Sequence, residues 1–125
     1  MKPVTEIRNL QHDVDAFTLA YIEAMFFTEA GPDSEEMSEK TWLDLAPEAL
    51  EQIVNDCAKF QASNRLDGYP PKQAGHDFWL TRNGHGAGFW ENDFGTPEQC
   101  EFLTASAKSF GECNLYVSDD GKLRL

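Results

Sequence analysis

The fold prediction rests on one stretch, His76-Asp77-Phe78-Trp79-Leu80-Thr81-Arg82-Asn83-Gly84-His85-Gly86-Ala87-Gly88-Phe89-Trp90-Glu91. Asn83-Gly84 stands between runs in which apolar residues alternate. Such a pair is the strongest short signal for a β-hairpin, because a two-residue type I′ turn needs positive φ at both central positions. The sequence therefore predicts a hairpin over residues 76–91.

This register would give the ribbon two different faces, since side chains alternate along a strand. Phe78 would oppose Phe89 on the face that meets the core. The other face would pair Asp77 with Trp90, Trp79 with Gly88, and Thr81 with Gly86. We therefore expect a hollow walled by two tryptophans on that second face.

Two interpretations of the hollow stay open. In the structural one, the indoles fold over the glycines and cover bare backbone. In the functional one, Gly86 and Gly88 let a partner or a flat ligand approach, and the indoles supply contact area. The binding residues would then be Asp77, Trp79, Arg82, His85, Gly86, Gly88 and Trp90.

The rest of the chain is divided by proline and glycine signals. Helices are predicted from Asp13 to about Ala30, from Pro47 to about Gln61, and from the capping residue Thr96 to Phe110. A second hairpin is predicted at the end, with Val117 opposite Leu123. The order predicts an α+β fold in which two hairpins form a four-stranded antiparallel sheet packed against helices.

The first predicted helix has an unusually broad apolar stripe. Leu19, Ile22, Phe26 and Phe27 extend it almost around the cylinder, which an ordinary surface helix does not need. Either this helix is central in the fold, or it shows one apolar side to a partner subunit. The central position is the favoured interpretation.

The length of 125 residues predicts a single domain. Residues 1–64 would form an acidic helical half, residues 65–75 a turn-rich connector, and residues 76–125 the hairpin-helix-hairpin part. The first half holds 13 acidic and 4 basic residues, and the second half holds 9 and 6.

A net charge of −12 restricts the partners. It repels nucleic acid and anionic lipid, and it attracts proteins with basic surfaces. Glu29, Asp33, Glu35 and Glu36 are the acidic residues expected to contact such a partner. The alternative is that the charge serves only solubility.

Several classes of site are excluded by the pattern. No apolar run approaches a membrane span, and the amino end lacks the core of a signal peptide, so a cytoplasmic location is expected. In the predicted hairpin, His76 and His85 would lie on the order of 20 Å apart, too far to share a zinc ion. Cys57, Cys100 and Cys113 fit unpaired structural thiols. We predict no metal, no cofactor and no catalytic residues.

Parts of the chain resemble a family of small, acidic, uncharacterised bacteriophage and prophage proteins. The similar segments are Gln73-Ala74-Gly75, His76 to Trp90, Leu45-Ala46-Pro47-Glu48, and Phe110-Gly111-Glu112 through Leu115 to Lys122. The resemblance transfers no activity and no catalytic residue. It implies an accessory protein of a phage or mobile element that acts inside a bacterial host cell.

The leading hypothesis is therefore a non-enzymatic protein that binds a host or phage protein with a basic surface. It could inhibit a defence or nucleic-acid-handling protein, for example as a DNA mimic. The alternative is a small-ligand-binding protein or an enzyme that uses the hollow of Trp79, Trp90, Gly86 and Gly88.

Overall fold

The computed structural model describes residues 7–29, 40–85, 87–91 and 94–125. Its helices are α1 (Leu10–Asp13), α2 (Ala16–Glu29), α3 (Pro47–Ser63), α4 (Pro71–Arg82) and α5 (Pro97–Ser109), with 3-10 turns at Trp42–Asp44 and Phe89–Glu91. Two short strands follow, β1 (Tyr116–Val117) and β2 (Leu123–Arg124). Among the described residues no helix has the length and apolar character needed to cross a membrane.

The predicted four-stranded sheet is wrong. The described residues contain one two-stranded antiparallel sheet, and the fold is mostly helical. The second hairpin is present, and its predicted pairing of Val117 with Leu123 is confirmed. Its turn closes through a hydrogen bond from the Ser118 amide to the Lys122 carbonyl, and Gly121 takes a positive φ of 80°.

The first hairpin is replaced by helix α4 and its C-terminal cap. Pro71 stands in the first turn, where its missing N–H costs nothing. At the other end, the Gly84 amide donates to the Thr81 carbonyl, and the His85 amide donates to the Leu80 carbonyl. This pair of bonds is a Schellman motif, and Gly84 has the positive φ of 70° that the motif requires. The Asn-Gly pair therefore ends a helix here and does not turn a hairpin.

Burial along α4 follows helical spacing. Ala74, Phe78 and Arg82 are buried at intervals of four residues, and Gly75 and Trp79 form a second buried row beside them. The alternating pattern of the sequence is real, but the helix buries most of its circumference, so residues of both predicted faces lie inside. This explains why the two-face assignment of the hairpin is wrong.

Helix α2 is the central helix, as the sequence favoured, and it packs chiefly against α4. Gly75 sets how closely the two helices approach. A Cβ atom built there would lie 2.1 Å from the carbonyl oxygen of Phe17. Only glycine fits at this contact, because the obstructing atom belongs to the backbone of α2.

Stacked aromatic rings from four elements form the centre of the core. Phe60 of α3 lies 4.3 Å from Phe78 of α4 between ring centroids, and 5.6 Å from Phe89 of the second 3-10 turn. Phe17 of α2 contacts the same ring of Phe60 at 5.8 Å. Burial of these rings is the main apolar contribution that joins α2, α3 and α4.

Helix α5 begins as its sequence predicted, with the Thr96 hydroxyl accepting from the Gln99 amide at 3.1 Å. The Gln99 side chain donates to the carbonyls of Arg65 and Asp67, and these bonds attach the connector to α5. Cys57 and Cys100 are buried thiols, Cys113 is partly buried, and these three described cysteines form no disulfide bond.

We predict that Gly75→Ala destabilises the protein. Glycine to alanine in a helix ordinarily adds stability, but here the new methyl group meets the backbone of α2, and overpacking of this kind costs about 1–3 kcal/mol. Urea unfolding measures the change. Lys72→Ala, at an exposed position of the same helix, is the control and should change stability by less than about 0.5 kcal/mol. A Gly75→Ala protein as stable as the wild type would contradict the close packing of α2 on α4.

Candidate binding groove

A groove of about 670 Å³ lies on the side of α2 that α4 does not cover. Among the described residues its apolar wall is formed by Leu10 of α1, by Leu19, Ile22 and Phe26 of α2, and by Trp42. Its polar lining is Arg8, Asn9, Gln11, Glu23, Lys40 and Thr41. A cleft of this size, with an apolar wall and polar side chains around it, is a candidate binding site.

Local turn chemistry holds the α1 wall in place. The Asn9 side chain accepts from the Gln11 amide and caps α1. Asp13 reaches back and accepts from the amides of Arg8 and Asn9 at 2.8 and 3.0 Å. These bonds satisfy backbone donors in the first turn of the helix and just before it, so the wall is fixed by its own sequence.

The Trp42 wall is fixed by a capping box. The Thr41 hydroxyl accepts from the Leu43 amide, and Asp44 accepts from the Thr41 amide at 2.8 Å. The Lys40 ammonium donates to the Gly121 carbonyl at 2.9 Å and links this wall to the C-terminal hairpin turn. The chain on both sides of Trp42 is therefore fixed by hydrogen bonds.

Two apolar side chains adjoin the groove residues in sequence and lie largely in solvent. Phe27 is 86% exposed next to Phe26, and Leu43 is 71% exposed next to Trp42. Single exposed apolar residues are common on proteins, whereas a contiguous exposed apolar patch is typical of an interaction site.

Arg82 does not belong to an accessible binding surface. Its guanidinium is buried and donates to the Tyr21 hydroxyl and to Asp56 Oδ2, both at 3.0 Å. It also donates to the carbonyls of Gly111 and Phe110, at 2.9 and 3.1 Å, where α5 ends. The side chain thus connects α4 to α2, α3 and the end of α5.

The electrostatics of this network favour a charged arginine beside a neutral tyrosine. Burial raises the pKa of Tyr21 well above its ordinary value. Burial alone would lower the pKa of Arg82, but the interactions with Tyr21, Cys113 and Asp56 outweigh it and raise that pKa. The guanidinium therefore stays ionised, and each hydrogen bond it makes is charge-assisted.

Trp79 and Trp90 occupy different environments. The Trp79 ring is fully buried, meets Tyr21 edge-to-face at 5.4 Å, and donates its indole N–H to the Thr28 hydroxyl at 2.8 Å. Trp90 is 51% exposed on the second 3-10 turn. The predicted hollow between them is not formed, because Trp79 points into the core of the helical fold.

Of the two glycines assigned to that hollow, Gly88 is described and Gly86 lies outside the described residues. Gly88 has a φ of 156°, and a Cβ atom there would lie 2.2 Å from the Thr81 hydroxyl oxygen. It therefore serves close packing against α4. His85 is half-buried at the cap of α4.

Asp77 is buried on α4, and its partners are Tyr69 and Gln73. Of the predicted acidic contacts, Glu29 ends α2, while its side chain and the residues Asp33, Glu35 and Glu36 lie outside the described part of the chain. Whether any of these residues binds a partner stays a prediction.

The groove residues were missing from the predicted site. Their signal was present in the over-broad stripe of α2, where Leu19, Ile22 and Phe26 exceed what one buried face needs. Helix α2 is central, and its second apolar side lines the groove. That a partner subunit covers this side stays a prediction. No comparable apolar pattern pointed to Trp42, because its position depends on the capping box of Thr41 and Asp44.

No cluster of three or more His, Cys, Asp or Glu side chains that could hold a metal ion occurs within the described ranges. Comparison with known proteins gives no matching family model, no matching curated protein and no matching solved structure.

Replacement of the two tryptophans should have unequal effects. Trp79→Ala removes a buried ring and leaves Thr28 without its donor, so we expect a loss of about 3–5 kcal/mol in the free energy of unfolding. Trp90→Ala should cost less than about 1 kcal/mol, because half of that ring is already in water. Chemical denaturation of both variants measures this, and equal losses would contradict the placement of Trp79.

Loss of the buried guanidinium should also be severe. Arg82→Ala leaves Asp56, the Tyr21 hydroxyl and two carbonyls without their donor, and such a break costs about 3–5 kcal/mol. Arg65→Ala is the matched control, since that side chain is exposed and should contribute less than about 0.5 kcal/mol. A cycle that combines Arg82→Ala with Asp56→Ala isolates the pair, and purely additive losses would show that the two side chains do not interact.

Proposed function

We propose that this chain is a non-enzymatic binding protein that uses the groove beside α2 to hold apolar side chains of another protein. The observation that carries the proposal is the apolar wall of the groove, at Ile22 and Trp42, together with the exposed residues Phe27 and Leu43, which follow groove residues along the chain. Interaction sites are typically built this way, with apolar anchors at the centre and polar groups around them.

Charge supports a partner with a basic surface. The chain carries 22 acidic and 10 basic residues, and its field accelerates association with a positively charged protein over a distance of about one Debye length, roughly 8 Å at physiological salt. Exposed carboxylates on the described surface include Glu23 beside the groove and Glu51 on α3. Steering by charge and anchoring in the groove would then act at different stages of binding.

The resemblance to phage and prophage proteins supplies the biological context of the proposal. A small acidic accessory protein in an infected bacterium would meet host proteins that handle nucleic acid, and these carry the basic surfaces that its charge attracts. Inhibition of such a protein, by occupation of the surface that otherwise binds DNA, is the mode of action we propose.

The test compares tagged wild-type protein with Trp42→Ala and Phe26→Ala as baits in infected cells. We expect the wild type to retain a partner and each groove variant to lose at least about 2 kcal/mol of affinity for it, the size of a hot-spot residue. Phe102→Ala is the matched control, because Phe102 is 65% exposed but lines a separate cleft beside Arg65 and Gln99. Circular dichroism verifies that all variants are folded.

Equal capture by the wild type and both groove variants would contradict the groove as the binding site. The contribution of charge to binding is measured separately, as the association rate of the purified protein with its partner. That rate should fall as the salt concentration rises, and it should fall in the variants Glu23→Gln and Glu51→Gln. The dissociation rate should change less than the association rate. Association that does not depend on salt would contradict mimicry of DNA.

A further inference from the structure

The pair Asn83-Gly84 at the cap of α4 is a point at which the chain can modify itself. In an Asn-Gly sequence the glycine nitrogen can attack the carbonyl carbon of the asparagine side chain, and glycine has no Cβ atom to obstruct the attack. Of the six asparagines in the sequence, Asn83 alone precedes a glycine. The reaction needs water and no enzyme.

The chemistry is deamidation through a cyclic imide. The Gly84 N–H gives its proton to solvent while its nitrogen bonds to Asn83 Cγ. The bond from Cγ to Nδ2 then breaks, and Nδ2 takes up a proton and leaves as ammonia. Water adds to one of the two carbonyl groups of the ring and opens it. The product is aspartate or isoaspartate, in which the main chain runs through the side-chain carbon atoms.

The folded cap holds both reacting groups out of position. Ring closure needs the Gly84 nitrogen to eclipse Asn83 Cβ about the Cα–C bond, whereas a ψ of 4° makes it eclipse the Asn83 amide nitrogen. The Gly84 N–H donates to the Thr81 carbonyl at 3.2 Å. Asn83 Nδ2 donates to the Trp79 carbonyl at 3.0 Å, and Oδ1 accepts from the Cys113 amide at 2.8 Å. The reacting atoms therefore align only after these bonds open.

Neither product can rebuild the cap. An aspartate at this position has an oxygen in place of Nδ2, so it cannot donate to the Trp79 carbonyl and repels it. An isoaspartate adds a carbon atom to the main chain, so the two amide bonds of the Schellman motif lose their spacing. The modification therefore removes the interactions that slow it.

We propose that Asn83 is a modification site under the control of the fold: it deamidates only when the cap of α4 opens, and the modified chain stays destabilised there. The closed cap slows the reaction in proportion to how rarely it opens. Arg82 binds the Gly111 carbonyl, and the Cys113 amide binds Asn83, so loss of the cap also weakens the junction between α4 and the end of α5. Deamidation is thus a one-way mark of chains that have opened at this junction.

The first experiment follows deamidation of the full-length protein at neutral pH, in buffer and in concentrated guanidinium chloride, by mass spectrometry of its peptides. We expect Asn83 to react at least about tenfold faster in the unfolded chain than in the folded one. Asn114, which precedes the bulky Leu115, is the internal reference and should react more slowly than Asn83 in the unfolded chain. Equal rates at Asn83 in both solvents, or no preference for Asn83 over Asn114, would overturn the proposal.

The second experiment measures what the modification does to the fold. Asn83→Asp reproduces the aspartate product, and we expect its unfolding midpoint in guanidinium chloride to be lower than that of the wild type, because the Trp79 carbonyl loses a donor. Asn114→Asp is the matched control, since it adds the same charge at an exposed position and should shift the midpoint far less. Equal midpoints for Asn83→Asp and the wild type would show that the product keeps the cap, and the proposal would fail.

Discussion

The buried guanidinium of Arg82 is the constraint on which the arrangement of helices depends. Removing its charge from water costs several kcal/mol, and only the full set of partners offsets that cost. Those partners come from separate elements: Tyr21 from α2, Asp56 from α3, and the carbonyls of Phe110 and Gly111 from the end of α5. A shift of any of these elements would leave a buried charge unpaired, so the network admits one relative placement of the helices.

The position of Arg82 also explains how the carbonyls at the end of α5 find hydrogen-bond donors. The last carbonyls of a helix have no partner within it and carry its negative dipole end. Arg82 supplies both donors and positive charge there, while its guanidinium lies over the rings of Phe78 and Phe110 at 5.6 and 5.7 Å. Cation-π contact and hydrogen bonding therefore stabilise the same group.

Much of the helical framework could be predicted from the sequence, because Pro47, Thr96 and Gly111 mark helix ends by local chemistry. The C-terminal hairpin was also predictable, since burial selects its register. Helix α4 was not predictable in the same way, because the pair Asn83-Gly84 suits two different structures. Its glycine supplies the positive φ that is needed both in a type I′ hairpin turn and in a Schellman cap. What separates the two is whether Ala74, Phe78 and Arg82 share one buried row, and that depends on α2 and α3, which are distant in sequence.

The same limit applies to the candidate site. Trp79 and Gly88 would line an exposed hollow only on a hairpin with one face in solvent. In the structure both residues are buried, Trp79 on helix α4 and Gly88 against it. Since α4 and α3 cover the aromatic side of α2, the surplus apolar side of that helix is left for the groove. Leu19, Ile22 and Phe26 could have been singled out from the sequence as surplus, but the wall opposite them could not. Trp42 reaches the groove through a capping box and a lysine bond to the Gly121 carbonyl, contacts that no periodic pattern encodes.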